Sequence, residues 1–148
     1  MQTISPHFPI AACKRILEQA TTIAIVGLSP KENRPSNMVA RYLISVGYKV
    51  IPVNPGQDSI LSLPCYPDLA SISEHVDIVD IFRRSEDVLA VVEQVVAMNP
   101  KPALVWMQQG IINVEAEQLA KDSKIEVVMD RCIKVDHAAF FSEVRKNG

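Results

Sequence analysis

The stretch TIAIVGLSPKENRPSN, residues 22–37, decides the fold of this chain. A β-branched apolar run stops at Gly27, a polar loop follows with Lys31 and Arg34, and Pro35 opens a segment whose apolar residues have helical spacing. This pattern predicts a strand, a loop and a helix. A helix N-terminus leaves backbone N–H groups unpaired, and glycine lets a ligand approach the backbone closely. The stretch therefore predicts an anion site, although the same unit also opens α/β domains that bind nothing there.

Length and composition describe one ordinary globular domain. The 148 residues are 48% apolar and 22% charged, so we expect residues 1–148 to form a single domain with a sizeable core. A net charge of -2 argues against nucleic acid as a general partner, because that ligand needs a clustered basic surplus. No apolar run approaches the roughly 20 residues of a membrane-spanning helix, and the first residues lack the regions of a signal peptide. We expect a cytosolic protein with no membrane partner.

Strands and helices alternate along the whole chain. Short apolar runs predict strands at residues 23–26, 48–53, 76–82, 103–107 and 125–129. Helices are predicted at 8–20, around the apolar positions after Pro35, after Ser85, after Asn113 and around Phe140; residues 57–75 are predicted as a connecting loop with a short helix at 68–72. Each strand is a continuous apolar run, which indicates that both faces of the sheet are covered. The sequence thus predicts an α/β fold, a doubly wound, Rossmann-like parallel sheet with helices on both faces.

The carboxyl ends of the predicted strands carry unusually polar and basic loops. In a doubly wound sheet, ligands bind outside these ends, near the point where the strand order reverses. The loops are Gly27 to Arg34, Asn54 to Gln57, Phe82 to Ser85, Gln108 to Gly110 and Asp130 to Lys134. Any single one of these residues could be a plain turn residue, but together the loops define a candidate ligand site.

The first two loops narrow the class of nucleotide. Gly27 is followed by LSPK, so the dinucleotide fingerprint G-x-G-x-x-G fails, and the P-loop pattern G-x-x-x-x-G-K-[ST] is absent from the chain. An NAD site also needs Asp or Glu at the end of the second strand to bind the ribose 2′-hydroxyl, whereas Asn54 stands here. A carboxylate would repel a ribose phosphate and Asn does not. With Lys31 and Arg34 nearby, we predict an adenine nucleotide with an extra ribose phosphate, either NADP or coenzyme A.

Five segments, in this order and spacing, resemble a known family. They are GLSPKENRPSNMVARYL (27–43), YKVIPVNP (48–55), DIVDIFRRSEDV (77–88), WMQQGI (106–111) and VVMDRCIKVDH (127–137). Over residues 8–137 the chain resembles the small stand-alone CoA-binding-domain proteins, which are similar to the N-terminal CoA-binding domain of the succinyl-CoA synthetase α subunit. The resemblance implies coenzyme A as the cofactor.

The resemblance also implies contacts to coenzyme A, carried over by position. The group at the pyrophosphate consists of Gly27, Leu28, Ser29, Pro30 and Ser36. The group beside the adenosine consists of Asn54, Pro55 and Gln57, and the group along the nucleotide consists of Phe82, Arg83 and Arg84. Lys31, Arg34, Gln108 and Gly110 complete the candidate site. Gln57 departs from the family pattern, because the synthetase subunit places a basic residue near that position, so Lys31 or Arg83 would read the 3′-phosphate instead.

Functions of different classes stay open at this stage. The first is a module that binds coenzyme A or an acyl-CoA without catalysis, as a homo-oligomer or beside a partner enzyme; ligase activity is not implied, because the synthetase takes its phosphorylated histidine from a second domain. The second is an NAD(P)-dependent oxidoreductase subunit acting with a partner, against which the failed fingerprint counts. The third is a redox or regulatory partner of a CoA enzyme that acts through Cys132, whose thiolate would be favoured by neighbouring positive charge and could meet the thiol of a bound CoA. A buried inert thiol is the favoured interpretation of Cys132.

The remaining chemistry-bearing side chains are interpreted as structural. Trp106 is predicted to lie in the core or to line a pocket, and not to stack on a ligand. His7 and His75 are predicted as surface residues without an acidic or cysteine partner. Three carboxylates near strand ends are assigned to caps and turns rather than to a catalytic base, because no nucleophile is arranged with them. They are Asp77, Asp80 and Asp130.

Overall fold

The structure, a computed structural model, describes residues 8–147, with side chains up to residue 142. Residues 1–7 and 148 of the predicted domain, and with them the surface assignment of His7, lie outside the described part. The helices in this range are α1 (Ile10–Gln19), α2 (Pro35–Ser45), α3 (Val88–Val96), α4 (Val114–Asp122) and α5 (Ile133–Asn147). The strands are β1 (Thr22–Val26), β2 (Lys49–Val53), β3 (Ser59–Ile60), β4 (Leu63–Pro64), β5 (Ile78–Ile81), β6 (Leu104–Met107) and β7 (Glu126–Val128). None of the described helices is both long and apolar enough to span a membrane.

Five parallel strands form the central sheet, in the order β2-β1-β5-β6-β7. β1 pairs with β2 on one side and with β5 on the other. If only these five strands are counted along the chain, the order is 2-1-3-4-5, and it reverses between β1 and β5. The prediction of a doubly wound, Rossmann-like parallel sheet is confirmed, and its switch point lies between the ends of β1 and β5.

Helices bury apolar side chains on both faces of the sheet. On one face, Leu17 of α1, Leu43 of α2 and Ile133 of α5 are buried in one core cluster. On the other, Val92 of α3 and Ala120 of α4 belong to a second cluster. Burial of a Val, Leu or Ile side chain stabilises the fold by about 1.5–3 kcal/mol each. The apolar side chains of the sheet are therefore covered by helices on both faces.

The segment predicted as a loop at residues 57–75 contains an antiparallel hairpin. β3 and β4 pair across Leu61 and Ser62, which have φ values of 56° and 62°. Leu61-Ser62 is not a recognisable turn sequence, because two-residue hairpin turns with positive φ favour Asn-Gly or Asp-Gly. After the hairpin, Tyr66 bridges to Val53 and covers the outer end of edge strand β2. The short helix predicted at 68–72 is a single 3₁₀ turn at Leu69–Ser71.

The last helix begins earlier than the apolar spacing around Phe140 indicates. α5 starts at Ile133, and its buried face includes Asp136 and His137, which are 7% and 8% exposed. His137 packs in this face with its Nδ1 2.7 Å from the Tyr42 hydroxyl. Because polar side chains occupy buried positions here, the helical period of apolar residues is interrupted in the sequence.

Two of the structural assignments need correction. The Nε2 atom of His75 lies 3.0 Å from Asp77 Oδ1, so the prediction of no acidic partner for His75 was wrong. Asp77 itself accepts hydrogen bonds from backbone N–H groups at the start of β1, as expected of a structural carboxylate. Asp80 occupies neither a cap nor a turn: it is fully buried within β5, and neither of its carboxyl oxygens has a hydrogen-bond partner among the described residues. Burial raises the pKa of Asp80 well above its usual range.

Candidate functional site

Hydrogen bonds join the carboxyl ends of β2, β1 and β5, the strands at and next to the switch point. The Gly27 N–H donates to the Val53 carbonyl oxygen and the Phe82 N–H donates to the Val26 carbonyl oxygen, both at 2.8 Å. Gly27 has φ +86°, and a Cβ atom at this position would lie 2.1 Å from the Phe82 carbonyl oxygen. No other residue type fits there without strain, so glycine is required where β1 passes closest to β5.

Side chains of α2 hold the loop that follows β1. The Ser29 N–H donates to Ser36 Oγ at 2.9 Å, and the Lys31 N–H donates to Ser29 Oγ at 3.1 Å. The Nδ2 atom of Asn37 donates to the Ser29 carbonyl oxygen at 2.8 Å. Ser36 is 4% exposed, so its hydroxyl is a buried acceptor that fixes the position of the Ser29 N–H. The sequence analysis did not identify Asn37 as a residue that holds the loop. The feature that could have indicated it is an amide side chain in the first turn of the helix that follows the loop after Gly27.

The N-terminus of α2, the helix that follows this loop, lies at the candidate site. Arg34 is the N-cap residue of α2 and Pro35 is its first helical residue, as expected of a residue with a fixed φ and no N–H group. Lys31 and Arg34 are both exposed. The N-terminus adds partial positive charge to that of the two side chains.

The end of β2 is tied to the loop after β1. The Nδ2 atom of Asn54 donates to the Leu28 carbonyl oxygen at 2.8 Å. The Leu28 side chain is fully buried, so any contact of Leu28 with a ligand would use its backbone. Pro55 and Gln57 follow in an exposed turn. The predicted residues of the first two loops therefore lie together, with an amide rather than a carboxylate at the end of β2.

Two clefts flank Arg83, which is half-buried after β5. One cleft has a volume of about 450 Å³ and is lined by Phe82, Arg83, Arg84, Asp87 and Ile111. The other has a volume of about 210 Å³ and lies toward β1 and β2, where Val26, Val53 and Pro55 line it together with Arg83. Arg83 is thus the predicted site residue that both clefts share.

Some basic side chains at this edge are already paired with carboxylates. Arg84 lies 3.0 Å from Asp87 and 3.5 Å from Glu86, and the hydrogen bond and charge of Asp87, together with the charge of Glu86, raise the pKa of Arg84. Arg131 makes two hydrogen bonds to Asp136, at 2.7 and 3.0 Å, and these raise the pKa of Arg131. Both guanidinium groups have their charge balanced within the protein.

Other basic side chains at the same edge are unpaired. Among the described residues, the side chains of Lys31, Arg34 and Arg83 form neither an ion pair nor a hydrogen bond. Two of them lie on the loop after β1 and the third follows β5, on the two sides of the switch point. Basic side chains without an ion-pair partner among the described residues therefore lie on both sides of the switch point.

The loop after β6 is fastened to the protein. Gln108 is 4% exposed, and its Oε1 accepts a hydrogen bond from the Ile133 N–H at 3.2 Å, which satisfies a backbone donor at the start of α5. The Gly110 N–H donates to Asp130 Oδ1 at 2.7 Å, which confirms the turn assignment of Asp130. Of the predicted site residues, Gln108 and Gly110 thus have structural contacts of their own.

Groups for covalent or metal chemistry are sparse at this edge. Cys132 is a free thiol, half-buried at the residue before α5, so the expectation of a buried thiol is met only in part. Within the described part of the chain, no three His, Cys, Asp or Glu side chains are grouped so that they could hold a metal ion. Trp106 is fully buried and donates from Nε1 to the Arg131 carbonyl oxygen at 2.8 Å, so its assignment to the core is confirmed.

The fold and the edge define a Rossmann-like α/β domain with a candidate anion site at its switch point. The chain belongs to the CoA binding domain family, which matches residues 21–138. The resemblance carried by the five sequence segments is thereby confirmed.

Relatives include a protein of similar length and parts of much longer enzymes. The uncharacterized protein YneT of Bacillus subtilis (strain 168) is 41% identical over 128 residues, which cover 86% of this chain and 93% of YneT. Acetate–CoA ligase [ADP-forming] I of Archaeoglobus fulgidus is 28% identical over 119 residues, which cover 75% of this chain but 17% of the ligase. This chain therefore corresponds to a small part of that enzyme.

Solved structures show the same two kinds of relative. The structure of cell-free ID.343 from Thermus thermophilus has a TM-score of 0.84 and 37% identity, with 90% of this chain and 100% of that chain covered. The dinucleotide forming acetyl-coenzyme A synthetase 1 of Ca. Korarchaeum cryptofilum, in complex with phosphate and ADP, has a TM-score of 0.64 and 26% identity. That match covers 72% of this chain and 25% of the synthetase.

Proposed function

We propose that this protein binds coenzyme A or an acyl-CoA at the carboxyl edge of its sheet, in the cytosol and without catalysis of its own. The observation that carries the proposal is the unpaired charge of Lys31, Arg34 and Arg83 on the two sides of the switch point. Coenzyme A has a pyrophosphate and a ribose 3′-phosphate, so it offers anionic groups to both loops. Membership of the CoA binding domain family supports the same ligand.

The pyrophosphate would lie on the loop after β1. The loop runs from Gly27, whose missing side chain makes room for the Phe82 carbonyl rather than for a ligand, to the N-terminus of α2 at Pro35. Lys31 and Arg34 add side-chain charge, and a charge-assisted hydrogen bond to phosphate is about twice as strong as a neutral one. Ser36 would act indirectly, because its buried hydroxyl accepts the hydrogen bond that holds the Ser29 N–H in place.

The adenosine and its 3′-phosphate would lie across the ends of β2 and β5. Pro55 lines the cleft of about 210 Å³ together with Arg83, and Asn54 and Gln57 lie close to Pro55 in the chain. Arg83 is the cation we assign to the 3′-phosphate, because this half-buried residue lines both clefts and its side chain has no partner among the described residues. Arg84 is a weaker candidate, since two carboxylates already balance its charge.

A chain of this kind would act as an accessory module. The matched regions of the ligase and of the synthetase are 17% and 25% of those proteins, and their names describe activities of the whole enzymes. We propose that any CoA-dependent reaction served by this chain takes place on a partner enzyme. A homo-oligomer is the alternative form of assembly.

Thermal unfolding in the presence of nucleotides tests the proposed function. A ligand that binds only the native state stabilises it by RT ln(1 + [L]/Kd), about 2.7 kcal/mol at a concentration 100 times Kd. CoA should raise the melting temperature, whereas NAD and ATP should not. At the same CoA concentration, a tenfold weaker Arg83→Ala should keep about 1.4 kcal/mol of this stabilisation and so lose about half of the shift. Arg15→Ala, which removes an exposed arginine of α1, should keep the whole shift. A shift with NADP or NAD and none with CoA would instead favour the oxidoreductase hypothesis.

A further inference from the structure

Two side chains one turn apart on α2 fasten the loop that follows β1. Asn37 is fully buried; its Nδ2 donates to the Ser29 carbonyl oxygen at 2.8 Å, and its Oδ1 accepts from Arg41 Nε at 2.9 Å. The Nη2 atom of Arg41 donates in turn to the Glu32 carbonyl oxygen at 2.8 Å. The Asn37–Arg41 pair therefore ties two separate points of the loop, Ser29 and Glu32, to one helix.

We propose that Arg41 is a positioning residue of the ligand site, which sets the backbone of the loop before the ligand arrives. This inference rests on the proposed function, because it assumes that the loop binds the pyrophosphate. A loop that is already ordered does not lose conformational freedom when it binds, and this raises affinity without any new contact. The bonds of Arg41 go to Asn37 and to a carbonyl oxygen, so its effect reaches the ligand through the loop.

The geometry of the guanidinium is what the role requires. Arginine presents five N–H donors in a rigid planar fork, and here two of its nitrogens engage two different acceptors, Asn37 Oδ1 and the Glu32 carbonyl oxygen. A lysine at position 41 would keep the positive charge but has a single nitrogen on a flexible stem. Arg41→Lys thus separates the effect of charge from the effect of geometry.

Hydrogen exchange in the ligand-free protein tests the loop directly. The Ser29 and Lys31 amide hydrogens are bonded to the Ser36 and Ser29 hydroxyl oxygens, so they report whether the loop is closed. In Arg41→Ala and in Arg41→Lys, both amide hydrogens should exchange at least about tenfold faster than in wild type, whereas amide hydrogens inside β1 should exchange at the wild-type rate. In the control variant Arg15→Ala, the Ser29 and Lys31 amide hydrogens should also exchange at the wild-type rate. Unchanged exchange at Ser29 and Lys31 in both Arg41 variants would overturn the proposal.

Titration with CoA tests the consequence for binding. Arg41→Lys should weaken binding about as much as Arg41→Ala, roughly tenfold. Because Arg41→Lys keeps the positive charge, the salt dependence of its CoA binding should stay that of wild type. Wild-type affinity in Arg41→Lys would overturn the positioning role. Absence of CoA binding by the wild-type protein would refute the proposed function instead, and the exchange rates would still decide whether Arg41 holds the loop.

Discussion

Gly27 and Phe82 are in backbone contact at the switch point of the sheet. The ideal position of a Cβ on Gly27 is 2.1 Å from the Phe82 carbonyl oxygen, and Gly27 has φ +86°. The contact joins the loop after β1 to the loop after β5, which are the two loops that carry unpaired positive charge. The position of Arg83 relative to the loop after β1 therefore depends on this glycine.

Gly27→Ala should destabilise the protein strongly. The variant must accommodate both a positive φ, with a cost of order 1–3 kcal/mol, and a clash that requires β1 or β5 to shift. Gly110→Ala is a matched control, because Gly110 has the same φ of +86° and nothing within 4 Å of the added Cβ. Urea unfolding should show a larger decrease in the free energy of unfolding for Gly27→Ala than for Gly110→Ala. Equal losses in the two variants would mean that the contact with Phe82 costs nothing.

Arg34 and Arg83 should differ in which phosphate they bind. Loss of a hydrogen bond to a charged group costs about 1.5–3 kcal/mol, so either alanine variant should weaken CoA binding by roughly tenfold or somewhat more. Arg83→Ala should lose most of the preference for CoA over dephospho-CoA, whereas Arg34→Ala should weaken both ligands alike. Calorimetry with both ligands measures the two effects.

Arg84→Ala is the control for this pair of variants. Its charge is balanced by Asp87 and Glu86, so its removal should change CoA affinity less than either of the other two substitutions. Full discrimination between CoA and dephospho-CoA by Arg83→Ala would show that another residue reads the 3′-phosphate, and Lys31 is then the candidate.

Asp80 should make the stability of the protein depend on pH. Burial raises the pKa of Asp80 in the folded state above its value of about 3.9 in the unfolded chain, so the folded state binds this proton more tightly. The resulting stabilisation is complete below the unfolded pKa and is lost as pH rises toward the folded pKa. Asp80→Asn cannot ionise and should lack this loss.

Urea unfolding at several pH values between 4 and 8 measures the effect of Asp80. The free energy of unfolding of Asp80→Asn relative to wild type should increase steadily with pH, with an unchanged m value. Groups that titrate in both proteins cancel in the difference. A difference that stays constant across this range would show that Asp80 keeps an ordinary pKa or that the carboxyl finds a partner.

Local patterns in the sequence were sufficient to predict the sheet and the first loop. The strand, Gly27, the basic loop and Pro35 are contiguous, and each has a local preference that agrees with its place in the fold. The cap of α4 was predictable for the same reason: Asn113 Oδ1 accepts from the Ala116 N–H at 2.8 Å, within one turn. The hairpin at Leu61 and Ser62 lacks the residues that favour its turn, so nothing local indicated it.

Contacts between distant residues decided the features that the sequence could not predict. Gln108 was predicted only as a ligand residue, and the fold adds a structural contact: its amide oxygen accepts from the Ile133 N–H, 25 positions later in the chain. Arg83 and Arg84 are neighbours of the same type, and only the fold shows that one is paired and the other is not. The isolation of Asp80 is likewise a property of the packed core.

Calorimetric titration of the purified wild-type protein with coenzyme A measures the proposed binding itself. We expect saturable binding of one CoA per chain, weaker binding of dephospho-CoA and no heat with NAD, since Asn54 replaces the carboxylate that an NAD ribose requires. The absence of heat with CoA up to millimolar concentration, or tighter binding of NAD than of CoA, would contradict the proposed function.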